Sequence, residues 1–250
     1  MQEKMSVLFR DTTDLMVLGH EAWLELGGSH GHAGEKMPVN LKWGHNMQPD
    51  GLARKDGMKA FVIHPDGSKE GIQVTDGGPE HYVLNFLPRE DGLYHVVANI
   101  TGNYIKDKEG KTLRGTRKEH PDAEKAVCYS QFAQCIVPVG HDLEGTAPKA
   151  DLQLEIQPEM LKHWRLGDEI NFKIYFRGQP LDGVAVDIAC NGPSGYRQFQ
   201  EITGGDGQLT LQGKEPGRYL LVARYKLQEG EEGVYDELSL TATFAFMVTK

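Results

Sequence analysis

From residue 151 onward the chain alternates. DLQLEIQP (151–158) sets Leu152, Leu154 and Ile156 on one parity, and EINFKIYFRG (169–178) does the same with Ile170, Phe172, Ile174 and Phe176. A period of two is that of a strand with one buried face. GVAVDIAC (183–190), YRQFQEIT (196–203), GQLTLQ (207–212), GRYLLVARY (217–225) and LSLTATFAFMV (238–248) continue the series. The breaks RGQPLDG, NGPSG, GGDG and EPG supply the residues that turns require. Seven short strands at such spacing predict an antiparallel sandwich of the immunoglobulin or fibronectin kind. PEMLKHW (158–164) is the one segment that reads as a short helix.

The N-terminal part is broken in the same way. VNLKWGH (39–45) alternates, KAFVIHPDG (59–67) ends in a Pro-Asp-Gly turn, and HYVLNFLPREDG (81–92) ends in Asp-Gly. GLYHVVANITG (92–102) puts Leu93, His95, Val97 and Asn99 on one parity and Tyr94, Val96, Ala98 and Ile100 on the other. A charged, aperiodic stretch (103–125) reads as a solvated excursion, and AVCYSQFAQCIVPVG (126–140) as a buried strand or strand pair. HDLEGTAPKAD (141–151) carries Gly, Pro and charge and reads as a linker. The expectation is all-β: two tandem immunoglobulin- or fibronectin-like antiparallel sandwiches over 18–145 and 151–250.

Thirty glycines in 250 residues agree with many turns, and 39% hydrophobic with 25% charged residues is a folded composition. A net charge of −9 repels phosphate backbones, so nucleic acid is excluded as a partner, whereas cations suit the surface. Cys128, Cys135 and Cys190 are too few for a disulfide framework, and in one straight strand the first two face opposite ways. No run is apolar enough for a transmembrane helix, and the first twenty residues lack the pattern of a leader, which leaves a cytoplasmic chain or one whose leader has been removed.

Residues 27–47 read GGSHGHAGEKMPVNLKWGHNM. His30 and His32 lie two residues apart, on one side if extended, and their glycines let the backbone fold around an ion. His45 ends the following strand and can return to meet them, while His20, Glu35 and Met47 are near in sequence. Imidazole suits Ni²⁺ and Co²⁺, with Zn²⁺ as a further candidate, and only neutral imidazole binds, so affinity is expected to fall at acid pH. The bland alternative is a glycine-rich surface loop. The other histidines read as solvated or structural: His64 exposed at a turn, His81 and His95 in one sheet with His95 a candidate to face a cleft, His120 in the excursion, His141 opening the linker and His163 beside Trp164.

The segments GHEAWLEL, LKWGH, AVCYSQFAQCIVPVG, LGDEINFKIYFRGQPLDGVAVDI, GGDGQLTLQGKEPGRYLLVARY and LSLTATFAFMV together resemble a bacterial family of secreted β-sandwich proteins. That family, largely of unknown function, is assigned to the periplasmic component of nickel or cobalt ABC-type uptake systems. The resemblance covers roughly residues 18–250. Its members begin, after leader removal, with His, an acidic or small residue, then Trp-Leu/Ile-Glu, matched by His20, Glu21, Ala22, Trp23, Leu24 and Glu25. Their Gly-His after the first long strand is matched by Gly44-His45. The nineteen residues before His20 depart from the pattern, and His20 is a free N-terminal ligand only if the chain is cut there.

No G-x-S-x-G elbow, H-E-x-x-H, P-loop or C-x-x-C is present, and the acidic stretch 228–237 lacks the alternation of a Ca²⁺ loop. The first expectation is therefore a non-catalytic extracytoplasmic metal-binding or metal-delivery protein for Ni²⁺ or Co²⁺, acting with a membrane uptake transporter. Its ligands would be His45, then His30 and His32, then His20. The alternative is a metal-free module that recognises a carbohydrate or protein through Trp43, Tyr94, Tyr104 or Tyr196 lying in one groove. A hydrolase using the same histidines ranks third.

Overall fold

The computed structural model describes residues 19–141 and 143–250; the reading of the first eighteen residues lies outside them. Strands β1 (Glu21–Leu26), β2 (Met37–His45), β3 (Gln48–Gly51), β4 (Met58–Ile63), β5 (Lys69–Ile72), β6 (Val74–Gly78), β7 (His81–Phe86), β8 (Gly92–Lys106), β9 (Thr112–Arg114) and β10 (Lys125–Val139) form the N-terminal half. The C-terminal half holds β11 (Leu154–Pro158), β12 (Glu169–Phe176), β13 (Gln179–Pro180), β14 (Ala185–Gly192), β15 (Gly195–Ile202), β16 (Gln208–Gln212), β17 (Gly217–Leu227) and β18 (Glu237–Val248). The fold is all-β, as the alternation predicts. Among the described residues the one helical turn is Gly205–Gly207, inside the GGDG break.

The two halves share a sheet. A nine-stranded sheet runs β15-β14-β17-β18-β10-β8-β4-β5, with β9 beside β8. Its joint is β10 against β18, the one parallel pairing among the described strands, from Val127 opposite Glu237 to Gln134 opposite Phe244. A smaller sheet (β1-β2-β7-β6, with β3 beside β2) covers one face, and another (β11-β12-β13, with β16 beside β12) serves the other. The parities of β8 sort accordingly. Tyr94, Val96, Ala98 and Ile100 pack with Leu24, Leu41 and Leu84, whereas Leu93 and Val97 pack with Ile156, Phe172 and Phe244. β10 divides likewise, with Ala133, Cys135 and Val137 on one side and Phe132 and Ile136 on the other.

Each half carries the same corner. Tyr94 Oη donates to Glu90 O (2.9 Å) and Tyr219 Oη to Glu215 O (3.0 Å). Gly92 and Gly217, at φ 156° and 154°, make the bend that allows it. This is the tyrosine corner of immunoglobulin-like sandwiches, present twice.

Several expectations change. Residues 158–164 are extended rather than helical, because Leu161 exchanges both backbone hydrogen bonds with Gly145 and buries its side chain beside Trp164. The charged excursion is pinned: β9 returns along β8, and Arg117 pairs with Asp236 while its N–H donates to Val234 O. β7 and β8 lie in opposing sheets, so His81 and His95 do not share one. Within the 141–151 linker and just after it, Ala147, Ala150 and Leu152 are buried in the core common to both halves. Cys128, Cys135 and Cys190 are all free thiols.

Candidate metal centre

The four histidines singled out in the sequence separate into two places, one at each end of β1. Six residues of strand span about 20 Å, so no ion touches both groups.

The first group is His20, His45 and Asp50, whose ligand atoms lie within 4.8 Å of one another. Register builds it. β1 runs antiparallel to β2 with Glu21 opposite Gly44, which sets His20 beside His45. Beyond His45 the chain turns through Asn46 and Met47, both left-handed (φ 53° and 58°), a two-residue hairpin that returns as β3. The register then slips: Gly44 faces Pro49, but Trp43 faces Gly51. Asp50 is the extra residue of that bulge, and bulges re-aim side chains. Its carboxylate swings to both imidazoles, with Oδ1 2.7 Å from His20 Nε2 and Oδ2 2.9 Å from His45 Nδ1. Gly44 permits the close return of β3, because a Cβ there would meet Gln48 O and Pro49 Cα.

His20 is buried and stacks on Trp43 (5.2 Å between centroids, 7° between planes), and its carbonyl accepts from Gln131 Nε2. The side chains of His45 and Asp50 are 40% and 36% exposed, so the open side of the group faces solvent. Glu21 lies behind it. Burial raises its pKa, against the pull first of Arg224 and then of His45. Arg224 holds Glu21 and Asp187 together. Two imidazoles and one carboxylate are a fitting donor set for a late first-row divalent ion, with open positions left for water.

The second group is His30, His32 and His141, again within 4.8 Å. The sequence gives His141 no role beyond opening a linker. Gly31 forms a parallel bridge with Val139, donating to Pro138 O (2.8 Å) and accepting from Gly140 N (2.9 Å), which brings His141 to the His-Gly-His loop.

The remaining expectations resolve individually. Glu35 is exposed and outside both groups. Met47 is buried against Trp23, Ala189, Leu220 and Val222. His64 is buried rather than exposed and pairs with Glu70 (3.2 Å). His95 faces no cleft; it is fully buried, with Nδ1 2.9 Å from Pro148 O. His163 is exposed. Tyr94 is fully buried and so cannot line an open groove, whereas Trp43 is half-buried and stacks on His20.

Sequence reasoning missed Asp50 and His141. The signal for Asp50 was a carboxylate five residues past His45, across a two-residue turn. Asn46-Met47 hid it, because Asn-Gly is the usual mark of that hairpin. For His141 there was no local signal, since the partners are about a hundred residues apart.

Among the described residues no helix is long and apolar enough to cross a membrane. No curated protein matches the chain. Solved structures match the chain at low identity. One is a DUF4785 family protein from Legionella pneumophila, at 7% identity and TM-score 0.30, covering 80% of this chain and 51% of that one. A second is the alpha-2-macroglobulin of Salmonella, at 14% identity and TM-score 0.28, covering 92% and 15%. A third is the Escherichia coli adhesin FdeC, at 16% identity and TM-score 0.25, covering 88% and 63%. This chain thus spans about half of the Legionella protein and a small part of the macroglobulin. A family model described as a domain of unknown function, DUF4198, matches residues 17–227, and the chain belongs to that family.

Proposed function

We propose that this chain is a non-catalytic, extracytoplasmic metal-binding or metal-delivery protein, which takes Ni²⁺ or Co²⁺ at His20, His45 and Asp50 and serves a membrane uptake transporter. One observation carries the reading: two histidines twenty-five residues apart converge on a carboxylate that a bulge turns toward both. The choice of nickel or cobalt comes from the resemblance carried by His20-Glu21-Ala22-Trp23 and Gly44-His45, and the donor set is compatible with it. The non-catalytic reading rests on the carboxylates. Both oxygens of Asp50 face imidazoles, and Glu21 is engaged by Arg224, so neither is poised as a base for a metal-bound water.

Calorimetric titration of metal-free protein with Ni²⁺ and Co²⁺ tests this. His45→Ala and Asp50→Asn should each weaken one binding event by about tenfold or more, the scale of losing a ligand or its orienting partner. His163→Ala, on an exposed residue outside both groups, should leave the titration unchanged. Equal effects of His45→Ala and His163→Ala defeat the assignment.

A further inference from the structure

We propose that His30, His32 and His141 form a second transition-metal site, distinct from the first in place and in chemistry. The three rings make a nearly regular triangle, with centroids 5.0, 4.7 and 5.2 Å apart. The backbone holds that triangle. Gly31 is buried and bonded on both sides to the end of β10, at Pro138 O and Gly140 N. A Cβ on Gly31 would meet the Met37 thioether, which would have to shift, so Met37 packs closely behind the loop. Successive residues of an extended segment point to opposite faces, which puts both imidazoles on the face away from Met37. Ser29 Oγ lies 3.0 Å from His30 Nδ1 and orients that ring with Nε2 free.

Among the described residues Asp50 has no counterpart in this cluster, which there consists of imidazoles alone. Three imidazoles gain little from one another without an ion. With a late divalent ion such as Zn²⁺, Cu²⁺ or Ni²⁺ they supply three of four tetrahedral positions, and they offer nothing to Ca²⁺ or Mg²⁺, which take oxygen. Metal–nitrogen bonds of about 2.0–2.1 Å put tetrahedral ligand atoms about 3.3 Å apart. The present span of up to 4.8 Å therefore has to contract. The ring of His30 is half-buried and those of His32 and His141 are exposed, so side-chain rotation suffices. His30 and His141 also line a cleft of about 940 Å³ between the halves, whose wall carries Lys162, Arg165 and Arg218 against Glu25, Glu144 and Asp168. Three imidazoles leave the fourth position open to water from that cleft.

The test counts ions. Metal-free full-length chain is dialysed to equilibrium against Zn²⁺, with millimolar Ca²⁺ as competitor and circular dichroism confirming the fold of each variant. Two ions per chain are expected for the wild type and one for His30→Ala/His32→Ala/His141→Ala. His141→Ala alone should weaken one of the two sites by about tenfold or more. A triple variant that still binds two ions overturns the proposal, and so does a His141→Ala variant that binds like wild type. His45→Ala/Asp50→Asn reports on the first site separately: if it retains both ions while the triple variant loses one, the first reading fails and this one stands.

Discussion

At the scale of single residues, position decides what a histidine does. By sequence His95 is a candidate to face a cleft, yet it points into the core under segment 143–152, where Nδ1 meets Pro148 O. Burial holds its imidazole below the ordinary histidine value, against the pull of the Glu155 carboxylate, the Pro148 carbonyl and the Gln134 side chain. The folded state therefore favours neutral His95, while the unfolded chain takes up a proton near pH 6.5. Stability from this group is present above that pH and is lost as pH falls below it, by at most about 1.4 kcal/mol per pH unit. Urea midpoints compared between about pH 7.5 and about pH 5.5 should fall less for His95→Gln than for wild type. Parallel falls would show that His95 is not the group responsible. The same contrast between position and residue type separates Glu35, which is near the histidines in sequence and outside both groups, from Asp50, which lies across a turn and completes one.

At the scale of the element, the β2–β3 hairpin shows how packing overrules local preference. Met47 holds a left-handed φ of 58°, which costs a side-chain-bearing residue about 1–2 kcal/mol. Its side chain is buried with Trp23, Ala189, Leu220 and Val222, and removing a buried Met side chain costs about 2–5 kcal/mol. Burial outweighs the backbone strain. Met47→Gly relieves the backbone but should still lower stability by about 1–3 kcal/mol, whereas Asn46→Gly should be close to neutral. Chemical denaturation of the two variants measures this, and a stabilised Met47→Gly would show that the hairpin is strained without compensation. The segment around Leu161 makes a related point. Its apolar residues three apart, Leu161 and Trp164, fit a helix or an extended bridge, and the bridge to Gly145 prevails. The two tyrosine corners share one sequence pattern: E-D-G-L-Y (90–94) and E-P-G-R-Y (215–219) carry glycine and tyrosine at the same offsets.

At the scale of the whole molecule, the boundary between halves is not a hinge. The last N-terminal strand ends at Val139 and the first C-terminal strand begins at Leu154, so the expected boundary segment lies between them. Yet β18 completes the C-terminal sandwich and simultaneously pairs with β10, and Tyr196 reaches the β2–β3 hairpin by donating to Asn46 Oδ1 (3.3 Å). Cutting at 141–151 would leave β10 and β18 joined through their ladder. The halves should therefore unfold in one transition, with tryptophan fluorescence and far-ultraviolet circular dichroism giving coincident urea curves. A fragment of residues 151–250 should fail to fold alone, because it bares one edge of β18 and the apolar face over which Trp23 packs. Separate transitions, or a stable fragment, would mean that the shared sheet contributes little.

Most of the strands and their buried parities (β15, which buries neither face, excepted), the glycine turns and the His-Gly-His loop follow from the sequence itself, because each depends on residues a few positions apart: a period of two, a glycine at a bend, two side chains on one side of an extended backbone. The pairing of β10 with β18, the union of the two sandwiches and the residues that complete the two histidine groups were decided only in three dimensions. Register between strands depends on which faces find each other during burial, and no short window of residues records it. Asp50 reaches His20 because β3 slips by one residue against β2, and His141 reaches His30 because Gly31 docks on the end of β10.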